Sequence, residues 1–423
     1  MQLEIRDLEQ LSSAEVRSDT DQALNYAEQS VRLARENQLD AWAAKGLVRI
    51  AGAKISQGKL DEAEASLNEA LGIARQTQQP RTEALANLTM ASLMNQRRLP
   101  DKVIAPAQSA LDYYQKHGFF VNAANVSILI IRAQRDKGQY QQALEAGNAS
   151  ISLATQSGVP RLMMQAEEVV GTVLLQMERY PDALSHFENA RSLADESSKI
   201  YQAANMANAL WKLGRYRESD VLLQAQAPND VLGATMADTR VESLLSQEKY
   251  EQALSYIGAT TARYPKMSAS GHQELELERA IAEAHLGMKK EALADLVEVQ
   301  QVAKPENASE EATLNLEIAE INLNAEMPQD AYAKAANAAA HFASTGQLDS
   351  ELRSVCIAAA ASKALDNSAE YNSYSAKALD IRSLIQHTWN PQLSETYLSR
   401  PDIRTLLAKI PLEELSNRRS HGD

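Results

Sequence analysis

The chain repeats itself about every forty residues, and that property excludes most folds. Ala23, Ala63, Val103, Ala143, Ala183, Ser219, Ala253, Ala292, Ala331 and Tyr371 hold the same place in ten helical stretches, spaced 40, 40, 40, 40, 36, 34, 39, 39 and 40 residues apart. A unit of that length cannot bury its own apolar face, so neighbouring units must stack and share a core. In the best copy, Met163 to Ser197, the residues Gly171, Leu174, Tyr180, Ala183, Phe187 and Ala190 fall at helical spacing. Glu178, Arg179, Tyr180, Pro181 and Asp182 break that run, which predicts two helices joined by a tight turn.

The break recurs at Gln57-Gly58-Lys59-Leu60, Lys137-Gly138-Gln139-Tyr140, Leu213-Gly214-Arg215-Tyr216 and Leu286-Gly287-Met288-Lys289. Glycine there ends the first helix in a left-handed conformation. Small residues are required where paired helices touch, because larger ones would force the axes beyond roughly 8–10 Å. Two rows meet the requirement: Ala51, Ala91, Gly171, Ala207, Ala280, Ala319 and Ala359 twelve residues before the anchor, and Ser30, Ala70, Ala110, Ser150, Ala190, Ala338 and Ala378 seven after it.

Gly171, Tyr180, Ala183, Phe187 and Ala190 resemble the tetratricopeptide repeat, whose pattern is a small residue in helix A, G-x-Y at the turn, then A-x3-F and another alanine in helix B. The resemblance implies an all-α, right-handed α-solenoid of about ten antiparallel helix hairpins over residues 1–388. The family repeat is 34 residues long, so a period of 40 predicts longer helices, roughly 16 residues or about 24 Å each. Long repeats of this kind, with Glu36 to Asp40, Lys116 to Gly118 and Thr345 to Asp349 between them, resemble the sensor arrays of bacterial signal-transduction ATPases, including the maltose-regulon activators.

Pro391 and Pro401 stop the last long helix from continuing, while Trp389, Leu393, Tyr397, Leu398, Ile403, Leu406 and Leu407 supply apolar side chains. Residues 389–410 are therefore expected to form a helical cap folded onto the hairpin of Tyr371 and Leu379, and 411–423 a disordered tail. The array opens almost at Met1 with little cap, an expectation of a domain upstream.

Net charge is −14, and residues 226–423 carry 18 Lys and Arg against 29 Asp and Glu. An acidic chain with no basic stripe is a poor partner for nucleic acid, whose affinity comes from neutralising phosphates. The apolar run Val126 to Ile131, with Ser127 inside it, falls far short of the ~20 residues of a membrane span. Cys356 stands alone, so no intrachain disulfide forms and a reducing, cytoplasmic setting is expected. It sits in the apolar run Val355 to Ala361 and reads as a buried, inert thiol.

The seven histidines show no metal-ligand spacing, and GxxxxGK[ST], GxGxxG and GxSxG are absent from the sequence. No cofactor, metal or catalytic residue is expected, and the chain reads as a non-enzyme. Adjacent acids such as Glu167 and Glu168 point about 100° apart on a helix and read as a solvated face.

In tetratricopeptide arrays helix A lines the concave groove. By that resemblance the candidate groove residues are Lys45, Asn95, Arg132, Arg135, Gln165, Glu168, Tyr201, Asn208, Trp211 and Lys212, with Thr172 beside them. Later repeats offer Asp238, Glu242, Glu274, Glu320 and Arg353, with Glu278 and Glu317 at the edge. The first set is basic and amide-rich, suited to a peptide backbone or carboxylate. Trp211 is either a binding anchor or a residue packed between repeats. Together these features predict a protein- or peptide-binding scaffold, the sensor or partner-binding region of a larger bacterial signalling or transcription regulator. The alternative is a free-standing adaptor or assembly factor for extended client segments.

Overall fold

The computed structural model describes residues 2–15, 18–224 and 230–410. Among these residues are twenty-two α-helices and no strand, and the chain divides between Val170 and Gly171 into two compact units. The tail expected over 411–423 lies outside the described residues.

In the first unit α1 (Gln2–Glu15) pairs with α2 (Thr20–Glu36), α3 (Asp40–Ser56) with α4 (Leu60–Gln76), α5 (Pro80–Gln96) with α6 (Pro100–Lys116), and α7 (Phe120–Asp136) with α8 (Tyr140–Ser157). Most of α9 (Pro160–Gln176) follows. From α2 to α7 every helix has 17 residues and is followed by three turn residues, which is why two helices and two turns repeat at 40. The turns share one geometry. After α3 the amide of Lys59 donates to Lys54 O (2.9 Å) and that of Gly58 to Ile55 O (3.0 Å), with Gly58 at φ +75°. These paired bonds satisfy the last carbonyls of the helix. Where glycine is missing, Gln38, Gln78, Arg98 and Glu178 adopt the same left-handed backbone, at φ between 53° and 59°. The turn is therefore set by its bonds as much as by the residue in it.

The second unit begins at the end of α9 and continues through α10 (Tyr180–Leu193), α11 (Lys199–Lys212), α12 (Tyr216–Leu223), α13 (Asp230–Ser246) and α14 (Tyr250–Arg263). Next come α15 (Ala269–His285), α16 (Lys289–Val302), α17 (Ala308–Asn324), α18 (Pro328–Thr345), α19 (Leu348–Ala364) and α20 (Ser368–Thr388). Two short helices, α21 (Pro391–Leu398) and α22 (Pro401–Ala408), close the described chain. The shortened spacings of 36 and 34 arise here, because α10 and α11 have 14 residues and α12 only eight.

Nine of the ten anchors, Ala23 to Ala331, have no exposed surface; Tyr371 is half-buried instead. In that last hairpin Ser375 and Ala378 take the core positions, and the Tyr371 hydroxyl donates to Lys409 O (3.4 Å). The small-residue requirement is literal at Gly171, where an added Cβ would lie 2.7 Å from the Phe187 ring.

Within the second unit the chain returns to its beginning. The carboxylate of Glu178, in the turn between α9 and α10, accepts the amides of Asp349 (2.6 Å) and Ser350 (3.1 Å) at the start of α19. Gln347 Nε2 donates to Gln176 O (3.0 Å), and the Tyr180 hydroxyl donates to Asp349 Oδ2 (2.9 Å). Helix α21 packs on α20, while α22 reaches α13 and α19. Trp389 is buried between Tyr180 and Tyr397, at ring separations of 5.8 and 5.0 Å. The junction between the two short helices holds Arg400, which is fully buried.

Cys356 is completely buried and burial pushes its thiol up to about 12. Among the described residues no helix is long and apolar enough to cross a membrane.

Candidate functional site

The first unit has a groove of about 580 Å³ built mainly from α3, α5 and α7. That volume lies within the range of ordinary ligand sites. Trp42, Lys45 and Arg49 enter from one face of α3, at i, i+3 and i+7, so helical periodicity aims all three the same way. Arg81 and Thr82 enter from the first turn of α5. Tyr114 and Phe119, which flank the turn between α6 and α7, form the far wall.

The groove joins cations to aromatic surface. Lys45 pairs with Glu9 and lies 5.1 Å from the Trp42 ring centre. Arg81 lies 5.1 Å from the ring centre of Phe119, an arrangement that holds the guanidinium by cation–π attraction. Arg49 Nε is enclosed and has no hydrogen-bond partner. Burial raises the carboxyl of Glu9, against the opposing pull of Lys45 and Arg49. Tyr114 is buried, and desolvation pushes its phenol up to about 12. Lys45 and Arg49 thus act on one buried carboxyl, while Arg81 stands over Phe119. An arginine fork and an ammonium placed beside apolar rings suit a carboxylate carried on an apolar segment.

Of the groove residues inferred from the repeat, Lys45 lines this opening. Asn95 lies half-buried on α5 and Gln165 half-buried on α9. Arg132 on α7 and Glu168 on α9 act on each other electrostatically; burial lowers the Arg132 guanidinium and Glu168 opposes that. Arg135 directs Nε and Nη2 to Asp136, at 2.9 and 2.7 Å. In the second unit Tyr201 is 42% exposed. Asn208 is half-buried with its Oδ1 unpartnered. Trp211 is buried, with Lys212 Nζ 4.3 Å and the Arg400 guanidinium 5.3 Å from its ring centre. Lys212 stands 3.9 Å from Glu242, and its carbonyl accepts Arg400 Nη1 (2.8 Å).

Arg49 and Trp42 were within reach of sequence reasoning, because they share a helical face with Lys45. Tyr114 and Phe119 were not, since Tyr114 lies on α6, the second helix of its hairpin, and Phe119 in the turn before α7, both outside the helix-A positions assigned to the groove.

The residues expected to line a groove in the later repeats divide into two groups. Arg353 donates to Glu320 (2.9 Å) and Asp402 (2.6 Å), while His285 Nε2 lies 2.9 Å from Glu320. Burial would raise Glu320, but Arg353 and then His285 hold it far below the usual carboxylate range. Arg400 completes the network, donating to both oxygens of Asp402 (3.1 and 2.7 Å). Asp238, Glu274, Glu278 and Glu317 stand outside it. Among the described residues no group of three or more histidine, cysteine, aspartate or glutamate side chains could hold a metal ion.

No family model matches the chain, and no curated protein matches it. Solved structures do. They include PilF of Pseudomonas aeruginosa, at 20% identity and a TM-score of 0.41, covering 56% of this chain and 97% of that one. A tetratricopeptide repeat protein from Parabacteroides merdae ATCC 43184 shows 12% identity and a TM-score of 0.43, over 64% of this chain and 98% of its own. A Rap protein complexed with Competence and Sporulation Factor shows 12% identity and a TM-score of 0.41, over 93% and 99%.

Proposed function

We propose that this array of tetratricopeptide-type hairpins is a non-catalytic recognition scaffold whose first unit holds a peptide or protein segment bearing carboxylates. The observation that carries the reading is the groove of about 580 Å³, with Lys45, Arg49 and Arg81 set among Trp42, Tyr114 and Phe119. Such a site orients a ligand through a few charge-assisted bonds and takes affinity from apolar contact. Arg132, Arg135, Gln165 and Asn95 extend the basic and amide character along α5, α7 and α9, and in this reading they contact the flanks of the same ligand. Tyr201, Asn208, Trp211 and Lys212 belong to the second unit and are not needed for it. The finer proposal, a sensor or partner-binding region of a larger cytoplasmic bacterial regulator, is supported by the long-repeat resemblance of the residues between hairpins.

The test is binding of fluorescently labelled hexapeptides, acidic residues alternating with leucine or phenylalanine, to the full chain by anisotropy. The double variant Arg49→Glu with Arg81→Glu should weaken binding by about a hundredfold, two charge-assisted hydrogen bonds at ~1.5 kcal/mol each. Equal affinity for parent and variant, with unchanged circular dichroism, would remove the groove from consideration.

A further inference from the structure

Helices α13, α15 and α17 carry carboxylates on one connected face. Asp238 and Glu242 stand one turn apart on α13, Glu274 and Glu278 one turn apart on α15, and Glu317 lies on α17. Glu278 and Glu317 occupy the same place in successive repeats, fourteen residues before Ala292 and Ala331. Glu278 forms the floor. It is 8% exposed, and both of its carboxyl oxygens are enclosed without a hydrogen-bond partner. Asp238, Glu242, Glu274 and Glu317 all act on it electrostatically, so it is aimed into the cluster. Glu274 is exposed and marks the side open to solvent.

The charges around this face do not balance. Lys212 reaches Glu242 at 3.9 Å and acts on Asp238. Arg353 acts on Glu317, but its hydrogen bonds go to Glu320 and Asp402. Among the described residues no hydrogen bond or ion pair engages Asp238, Glu274, Glu278 or Glu317. Desolvation and mutual repulsion raise Glu274 and Glu278, and push Asp238 and Glu317 up to about 8. A buried carboxylate without a cation is among the costliest groups a fold can hold. A single metal ion does not answer the need, since these side chains do not converge on a point.

Spacing identifies what does. Carboxylates one turn apart are about 6 Å apart along a helix, and neighbouring helices add roughly 8–10 Å across the face. An extended peptide sets alternate side chains about 6.7 Å apart on one side.

We propose that the face formed by Asp238, Glu242, Glu274, Glu278 and Glu317 binds an extended basic peptide segment, with lysine or arginine at alternate positions and one cation seated on Glu278. This is a second site, of opposite polarity to the groove of the first unit, and it does not depend on that reading.

The probe is acetyl-Lys-Ala-Lys-Ala-Lys-amide, titrated calorimetrically into the full chain in two buffers of different ionisation enthalpy. Parent protein should bind it with net proton release, because the arriving cations displace protons held by the raised carboxyls. Glu278→Gln, isosteric with the protonated acid and so compatible with the fold, should weaken binding by about tenfold and reduce the proton release. Two results would overturn the proposal: undiminished binding and proton release in Glu278→Gln, or spermidine binding as tightly as the peptide, which would remove the peptide register.

Discussion

Replacing Arg400 by methionine isolates what holds the second unit closed. The side chain is fully buried, donates to Asp402 through two nitrogens and to Lys212 O (2.8 Å), and stands 3.5 Å from Asp349 Oδ2. Methionine is close to arginine in length and apolar, so packing changes little and the loss is electrostatic. Asp402 keeps Arg353 at 2.6 Å, but Asp349 loses its nearest cation and retains only the hydroxyls of Tyr180 (2.9 Å) and Tyr397 (2.7 Å) among its side-chain partners. Removing one partner of a buried ion pair destabilises by about 3–5 kcal/mol. At roughly 2–4 °C per kcal/mol for a domain of this size, the second unit should melt ~6–20 °C lower. The effect should depend on pH with a definite sign. Burial would raise Asp349, yet Arg400 and then Arg353 hold it below its ordinary value, so in the parent its contribution is kept at neutral pH and lost only as pH falls below that value. In the variant the carboxyl loses Arg400, the largest of the influences that lower it, so burial weighs more on its charged form and the gap between variant and parent should narrow as pH falls from 7 towards about 4. Differential scanning calorimetry with amide exchange in α19 measures both. Melting within about 2 °C of the parent, with unchanged exchange in α19, would refute the claim that this network holds the unit closed.

Ala183 has no exposed surface, and Ala183→Arg should overpack α10 against its neighbours and bury a charge, lowering stability by several kcal/mol in thermal circular dichroism. Asp238 and Glu317 are pushed up to about 8, by burial first and Glu242 next, so the native second unit holds protons that the unfolded chain has released by about pH 5. Its melting temperature should therefore fall as pH rises from about 6 to 9, and Glu317→Gln should flatten that slope; a parent melting temperature that rises over the same interval contradicts the cluster. With its thiol at about 12 and no exposed surface, Cys356 should resist Ellman's reagent at pH 8 in the native protein and react fully in guanidinium.

The repeat was legible because each of its contacts is local. Gly171 against Phe187 spans 16 residues, and a small residue at each crossing is a requirement that composition alone reveals. The side of α3 on which Lys45 stands was legible for the same reason, through its place in helix A, and that side lines the opening in the first unit. Tyr371 misled at the last anchor, because Lys409 reaches it from beyond the repeat and shifts the buried contact by a turn to Ser375. Glu278 and Glu317 were expected at the edge of a groove, but the burial of Glu278 was not legible. That depends on α13, α15 and α17, the first helices of three successive hairpins, lying side by side.

By itself the sequence determined the helix hairpins, their period, the left-handed turns and the positions that must be small, since each follows from propensity and contacts within about forty residues. Only the tertiary structure decided that Glu178 would meet Asp349, 171 residues away, and that Arg400 would reach Lys212 O, 188 residues away. Such contacts follow from the small rotation each hairpin adds to the last, summed over several repeats of which α10, α11 and α12 are shortened. No single residue encodes that sum, so the partner of a buried charge such as Arg400 is fixed only once every intervening hairpin has been placed.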